Sequence, residues 1–226
     1  GLEYSLPNSI KSTNYPDFII ANVENASHGF GLTTKNHKEL TELGIDAFTS
    51  GNHIWDRKEI FDFIETSDRL IRPLNYPSSV PGVGSRIFEL SDGTKIAVIN
   101  LLGSVFMNTI DSPWLIIEDE VSKIKQITPL IILDFHAEAT AEKVSMGYFG
   151  NKLGLSAVIG THTHIQTADE KILNDTTAYI TDAGFCGSSD GVIGMDIQSS
   201  LKRFLTGLPE RFDVASTGNS ELNGVR

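Results

Sequence analysis

The chain is poor in the residues that staple or anchor a fold. Its 226 residues hold one cysteine, Cys186, so no internal disulfide framework can form. The same scarcity excludes a structural zinc site of the multi-cysteine kind and suits a reducing compartment. Apolar runs are short. Stretches such as 18–21 and 130–133 fall far below the roughly eighteen residues a membrane span requires. No basic stretch leading into an apolar one follows Gly1, so a cytoplasmic protein without a secretory signal or membrane partner is expected. Positive charge is scarce too. Eighteen Lys and Arg against 29 Asp and Glu leave a net charge of −11, which disfavours stable binding to long nucleic acids. A small anionic substrate stays compatible if a local positive centre, such as a metal ion, overrides the global field.

What is present is ordinary: 40% hydrophobic and 21% charged residues, a composition that buries a sizeable core unaided. Repeats, low-complexity tracts and like-charge blocks are missing, so one domain over 1–226 is expected. Short apolar runs alternate with segments of helical period, the pattern of strand–helix–strand units. Strands are expected at 18–23 and 45–49, with a helix between them over 33–43, capped by Thr33 or Thr34 and stopped by Gly44. A helix over 56–64 opens on a capping box, Asp56 and Glu59. Ser91-Asp92-Gly93-Thr94 reads as a hairpin turn between strands at 85–90 and 95–101. Helices follow over 112–125, 139–149 and 196–205, and strands at 130–135, 156–160, 178–181 and 211–215. The fold class is α/β with mixed parallel and antiparallel pairing.

The informative feature is positional. Four apolar strand candidates each end in metal-competent side chains: Glu24 and Asn25; Asn52 and His53; Asp134, His136 and Glu138; and His162 and His164. In open α/β sheets the ligand crevice lies beyond the carboxyl ends of the strands, so the four clusters should converge. His162 and His164 are two apart, and in extended backbone both imidazoles would face one side. Alone, such a pair reads equally as two exposed histidines in a polar turn, and Glu24 as a surface carboxylate. Asn25 and Asn52 are weak ligands singly, because asparagine after a strand is usually a turn residue. His53 follows Asn52 directly and is left free for acid–base work. Asp134 and Glu138 either orient the His136 ring or serve in capping and solvation. Cys186 as a catalytic thiol is a minor reading. Carboxylate, amide and imidazole without thiolate suit Mn, Fe or Zn, and such mixed sites commonly hold two metals that clamp a displacement at phosphorus.

The motifs Val23-Glu24-Asn25-Ala26, Gly51-Asn52-His53, Asp134-Phe135-His136-Ala137-Glu138 and Gly160-Thr161-His162-Thr163-His164 resemble those of the calcineurin-like metallophosphoesterases. Longer strings, over 20–31, 51–56, 165–170 and 203–209, resemble the bacterial YmdB-like phosphodiesterases across nearly the whole chain. The resemblance implies a sandwich of two mixed β-sheets flanked by helices, with two divalent or mixed-valence metal ions (Fe, Mn or Zn) at the strand ends. It assigns Glu24 as the bridge, Asn25 and His164 to the first ion, and Asn52, His136 and His162 to the second. His53 becomes the general acid, protonating the leaving alkoxide as a metal-activated hydroxide attacks. Small phosphodiesters are the implied substrates, cyclic and 2′,3′-cyclic nucleotides among them, and a homo-oligomer is compatible.

One departure stands out. The family opens with a strand ending in Gly-Asp, whose aspartate ligates the first metal. Here residues 1–16 resemble the helix after that strand, no aspartate precedes Asp17, and the end at Arg226 precedes a closing strand. The expectation is therefore an incomplete copy of a longer protein with a weakened first metal site. The competing expectation is a non-catalytic nucleotide- or protein-binding module on the same scaffold.

Overall fold

The computed structural model describes residues 16–108, 110–215 and 218–226; the helix expected over 1–16 falls almost wholly outside them. Two layers of strands carry the fold. The larger is a six-stranded sheet built from β3 (Ser85–Glu89), β4 (Lys95–Leu102), β5 (Ile131–His136), β6 (Ala157–Thr161), β7 (Lys171–Leu173) and β8 (Thr177–Ile180), in the order β3-β4-β5-β6-β8-β7. Its centre, β4-β5-β6-β8, is parallel, and both edge pairs are antiparallel. The second layer pairs β1 (Ile20–Asn22) with β2 (Ala47–Thr49) in parallel, extended by a bridge from Phe48 to Leu70. A third pairing joins β9 (Cys186–Ser188) antiparallel to β10 (Ser220–Leu222). The α/β class with mixed pairing is as expected.

Local chemistry explains the elements. β4 and β5 are almost wholly buried, as their unbroken apolar runs require at the middle of a parallel sheet. Helix α1 (Thr34–Glu42) starts at Thr33, whose hydroxyl accepts the Asn36 N–H at 3.3 Å, and stops before Gly44, which adopts φ +87°. The Asp-Gly turn forms as read: Thr94 N–H donates to Asp92 Oδ1 at 2.8 Å and Gly93 sits at φ +84°. Helix α3 (Pro113–Ile124) has Ser112 as its capping residue and proline at its first position. Helix α4 (Thr140–Lys152) packs against β6, β7 and β8. Asp196 caps α5 (Ile197–Thr206) by accepting the Ser199 N–H at 2.9 Å. One cluster centred on Ile99, Leu133, Phe135, Ile117 and Met146 fills the space between the large sheet and its helices, and a second, around Phe48, Ile54 and Leu32, packs under β1 and β2.

Two expectations are corrected, and two strand pairs are new. The helix expected over 56–64 shrinks to a single turn, α2 (Ile60–Phe63), and its capping box is not made. Asp56 instead accepts from His53, and Glu59 accepts the Thr34 N–H at 3.2 Å, because both find partners outside their own segment. The strand expected over 211–215 is reduced to one bridge, Val214 to Met195, since the chain alongside is a loop rather than a strand. The pairs β7–β8 and β9–β10 were not expected, because three-residue strands give no periodicity to read.

The two layers are stitched by polar groups beneath the strand ends. Asn22 Nδ2 donates to Asp134 Oδ2 (3.2 Å) and to Ser50 O (3.1 Å), and buried Asn100 takes the Ser50 N–H at 3.2 Å. Deeper in, Lys143 of α4 and Asp182, just past β8, form an ion pair at 2.6 Å with both side chains buried. A buried pair broken on one side leaves an uncompensated charge. Asp182→Ala should therefore lower the free energy of unfolding by about 3–5 kcal/mol, measured by urea denaturation; a change within about 0.5 kcal/mol, the range of inert surface substitutions, would contradict it.

Candidate metal centre

The four strand ends converge. His136 closes β5, and its Nε2 lies 3.0 Å from Glu24 Oε1, 3.0 Å from Asn52 Oδ1 and 3.0 Å from His162 Nδ1. The His136 and His162 rings meet edge to face with centroids 4.8 Å apart. On the other side of Glu24, Asn25 Nδ2 lies 3.4 Å from Glu24 Oε1 and 3.2 Å from His164 Nε2. All six residues expected as ligands thus share one site, with Glu24 between the two groups. Glu24 and His136 are buried.

The histidine pair arrives by a different route from the one expected. His162 and His164 do not extend the strand: they stand at φ +110° and +64°, a backbone region costly for residues with a Cβ. The two rings consequently point to different halves of the site, one to His136 and one to Asn25. Asp182 holds the strained turn by accepting the Thr163 N–H at 3.0 Å and its hydroxyl at 2.8 Å.

Hydrogen-bond partners fix which ring nitrogen faces inward. His164 Nδ1 donates to Ile193 O at 3.1 Å, and His162 Nε2 donates to Glu138 Oε2 at 3.1 Å. The Thr161 hydroxyl gives its one proton to Asp134 Oδ1 at 2.6 Å and so receives the His136 Nδ1–H at 2.9 Å. Each imidazole therefore spends its N–H outward and turns a lone pair inward, the arrangement found around metal ions. Of the two residues flanking His136, Asp134 acts on its ring through Thr161, while Glu138 serves His162 instead.

The inward lone pair of His136 faces other acceptors, a carboxylate, an amide oxygen and a second imidazole, whereas that of His164 meets the Asn25 amide nitrogen. Asn25 Oδ1 is buried with no hydrogen-bond partner. Such a cluster is short of positive charge, and a cation supplies it. Glu24, His136 and His162 alone place three ligand atoms within 4.8 Å of one another. Without a cation, a proton is the substitute. Burial disfavours an ionised Glu24, but the charge and hydrogen bond of His136 and the His53 N–H outweigh it and hold the pKa down to about 2. Burial likewise opposes an imidazolium at His136, and the Glu24 carboxylate overcomes that to raise its pKa. Burial, then the neighbouring His136, pushes His162 down to about 4, so it stays neutral.

His53 sits at the rim with a third of its side chain exposed. Its N–H donates to Glu24 Oε2 at 2.9 Å, and its Nδ1 bonds Asp56 Oδ2 at 2.8 Å. Phe30 packs edge-on against the ring at 5.1 Å. Nε2 is left without a hydrogen-bond partner among the described residues. Sequence reasoning missed Asp56 in this role, having read it as a helix cap; its spacing of three from His53 was the available signal. Thr161 and Asp182 were also missed as positioning groups, since their partners lie far along the chain. Cys186 is exposed, its thiol bonds Asn223 O at 3.4 Å, and desolvation raises its pKa, the opposite of an activated nucleophile.

Two outcomes are expected. Gly51 leaves no room for a methyl group, which would collide with Glu24 Oε2 and the His136 ring. Gly51→Ala should therefore lose metal uptake, read by elemental analysis, while far-ultraviolet circular dichroism stays native. Mn²⁺ titrated into metal-free protein should release protons, and its affinity should fall from about pH 8 to about pH 6, because the cation must displace the proton that Glu24 holds on His136. Calorimetry in buffers of different ionisation enthalpy reads this directly. Uptake without proton release would contradict the arrangement.

With this geometry the chain resembles known proteins closely. The YmdB-like protein family matches residues 2–226. A Bacillus subtilis protein named 2′,3′-cyclic-nucleotide 2′-phosphodiesterase is 48% identical over 216 residues, covering 96% of this chain and 81% of that protein. A putative phosphatase/phosphodiesterase of Mycoplasma pneumoniae is 37% identical over 227 residues, covering 96% and 78%. Among solved structures, a hypothetical protein from Thermus thermophilus superposes with TM-score 0.87 at 36% identity, over 94% of this chain and 81% of that one. A phosphatase from Mycoplasma pneumoniae superposes with TM-score 0.86 at 33% identity, over 95% and 77%. The strand-end motifs, the layered α/β fold and these likenesses agree, and the chain belongs to the YmdB-like family.

Proposed function

We propose that the protein is a metal-dependent phosphodiesterase of small nucleotides, with 2′,3′-cyclic phosphodiesters as its substrate class. The observation that carries this reading is the convergence of six metal-competent side chains in which the inward lone pair of His136 faces a carboxylate, an amide oxygen and a second imidazole. The name of the B. subtilis relative supports the substrate class. Glu24 would bridge two ions, with Asn25 and His164 on one side and Asn52, His136 and His162 on the other. The donor set, oxygen and imidazole without thiolate, suits Fe, Mn or Zn. Bound there, two cations would neutralise the phosphodiester and activate water for in-line attack.

The chain's own residues supply the rest. Asp56 accepts the His53 Nδ1–H and sets the ring, so that the imidazolium form would hand its Nε2 proton to the departing ribose oxygen and be left neutral. Phe30 packs against that ring. The bond from phosphorus to one ribose oxygen breaks, water supplies the replacing oxygen, and the product is a nucleoside monophosphate. No helix among the described residues is long and apolar enough to cross a membrane, and the lone cysteine suits a cytoplasmic setting. A non-catalytic binding module is the weaker reading, because such a module has no need of outward-bonded histidines around a charge-deficient centre.

The test is elemental analysis paired with hydrolysis of 2′,3′-cyclic nucleotides: two ions per chain and loss of turnover on chelation are expected. His53→Ala should keep its metals while turnover falls by about 10²–10⁴. A substrate with a p-nitrophenolate leaving group should suffer a smaller loss, since it departs without a proton. Equal losses with both substrates would remove His53 from the acid role.

A further inference from the structure

An open cavity of about 520 Å³ is lined by His28, Arg57, Arg211, Phe212, Asp213 and Val214. None of the expected ligands lines it, but neighbouring stretches of chain join it to the site. The loop bearing Asn25 continues to His28, and Arg57 directly follows Asp56, the partner of His53. On the far side, Val214 bridges to Met195, and the same loop offers Ile193 O to His164. Val214 and Met195 also close on Gly29, where an added Cβ would stand 3.1 and 3.2 Å from them. A ligand held at the metal centre would therefore border this cavity.

Its charge runs against that of the chain. In a protein of net charge −11, two guanidiniums and an imidazole meet one carboxylate here. Arg57 is anchored: its Nε donates to Phe30 O at 3.0 Å and one terminal nitrogen, Nη2, donates to Ser27 O at 2.9 Å. Nη1 remains without a partner among the described residues. Arg211 is exposed and makes no hydrogen bond or ion pair among them, Asp213 included. One face of Phe212 is already covered by the Arg203 guanidinium, 4.8 Å from the ring centroid. The unpaired guanidinium donors match a phosphate.

We propose that this cavity binds a second phosphate of the substrate, remote from the cyclic diester at the metal centre. The favoured substrates are nucleotides carrying a 2′,3′-cyclic phosphate and a phosphate on the 5′ side. This rests on the phosphodiesterase reading and narrows it. The 5′ phosphate comes either as the monoester of a free mononucleotide or as the linkage to a preceding nucleotide, and the chemistry at Arg57 and Arg211 is the same for both.

The experiment compares kcat/KM of the metal-loaded protein for three substrates: adenosine 2′,3′-cyclic phosphate, its 5′-phosphorylated form, and the dinucleotide ApA ending in a 2′,3′-cyclic phosphate. The 5′-phosphorylated or linked forms should be preferred by about tenfold, the worth of one charge-assisted hydrogen-bonded contact. The ratio between the phosphorylated and unphosphorylated substrates should collapse toward one in Arg211→Gln, an exposed position whose substitution spares the fold. Preference for the mononucleotide alone identifies the monoester as the ligand, and preference for both admits the linkage. Hydrolysis without preference, or a preference that survives in Arg211→Gln, overturns the second-phosphate site alone. No hydrolysis of any of the three overturns the phosphodiesterase reading, and this inference with it.

Discussion

A single buried carboxylate, Asp182, decides whether the site can exist. It accepts from Lys143 Nζ, from the N–H and hydroxyl of Thr163, and from the Gly184 N–H at 2.9 Å. Thr163 lies between two histidines held at positive φ, a geometry worth on the order of 1–3 kcal/mol of strain each. Strain of that size persists only where neighbours over-determine it. Asp182 supplies this from just past β8, and its ion pair with Lys143 of α4 holds the carboxylate in place. Gly160 contributes the space: a side chain there would collide with the carbonyl of Thr181, so β6 and the end of β8 approach as closely as the grip on Thr163 needs.

The same economy governs protons. Three imidazoles are each tied from outside, by Thr161, Glu138 and Ile193 O, and these ties come from β6, the β5 end and the loop before α5. No single element could orient all three. Asp134, buried and ranked by its desolvation toward a higher pKa, is held by Asn22 and Thr161 under the strand ends and so links the stitch between the layers to the His136 ring. Fold and site are therefore not separable: loosening the contact between the layers would rotate a ligand.

Much of this was legible in the sequence, for identifiable reasons. Strand-end placement is a one-dimensional signal of a three-dimensional crevice, so Glu24, Asn25, Asn52, His136, His162 and His164 could be grouped although 140 positions separate first from last. Thr33, Gly44, Asp92-Gly93 and Pro113 acted locally and were read correctly. What stayed hidden is what depends on a distant partner. Asp56 carries the pattern of a cap until His53 is seen beside it, and Asp182 has no motif at all. The positive φ at His162 is equally silent, because nothing in H-T-H announces a strained turn in place of an extended strand. Chemistry that needs particular residue types was legible, and the means of holding those residues at an angle was not.

The charge distribution bears on which substrates the proposed centre would take. Of the six grouped side chains, only Glu24 can bring a negative charge to a bound ion; the two amides and three imidazoles bring none. Two divalent cations on one carboxylate would leave an excess of about three positive charges in a confined, partly buried space. That local field is strong enough at contact to draw a phosphodiester, while the net charge of −11 acts beyond a Debye length of about 8–10 Å only weakly at physiological salt. A short anion reaching the rim is attracted by the centre and by Arg57 and Arg211, whereas a long polyanion must also lie along acidic surface. On the proposed reading, the sparing use of lysine and arginine elsewhere would do part of the selection, favouring ligands small enough to meet only the positive part of the protein.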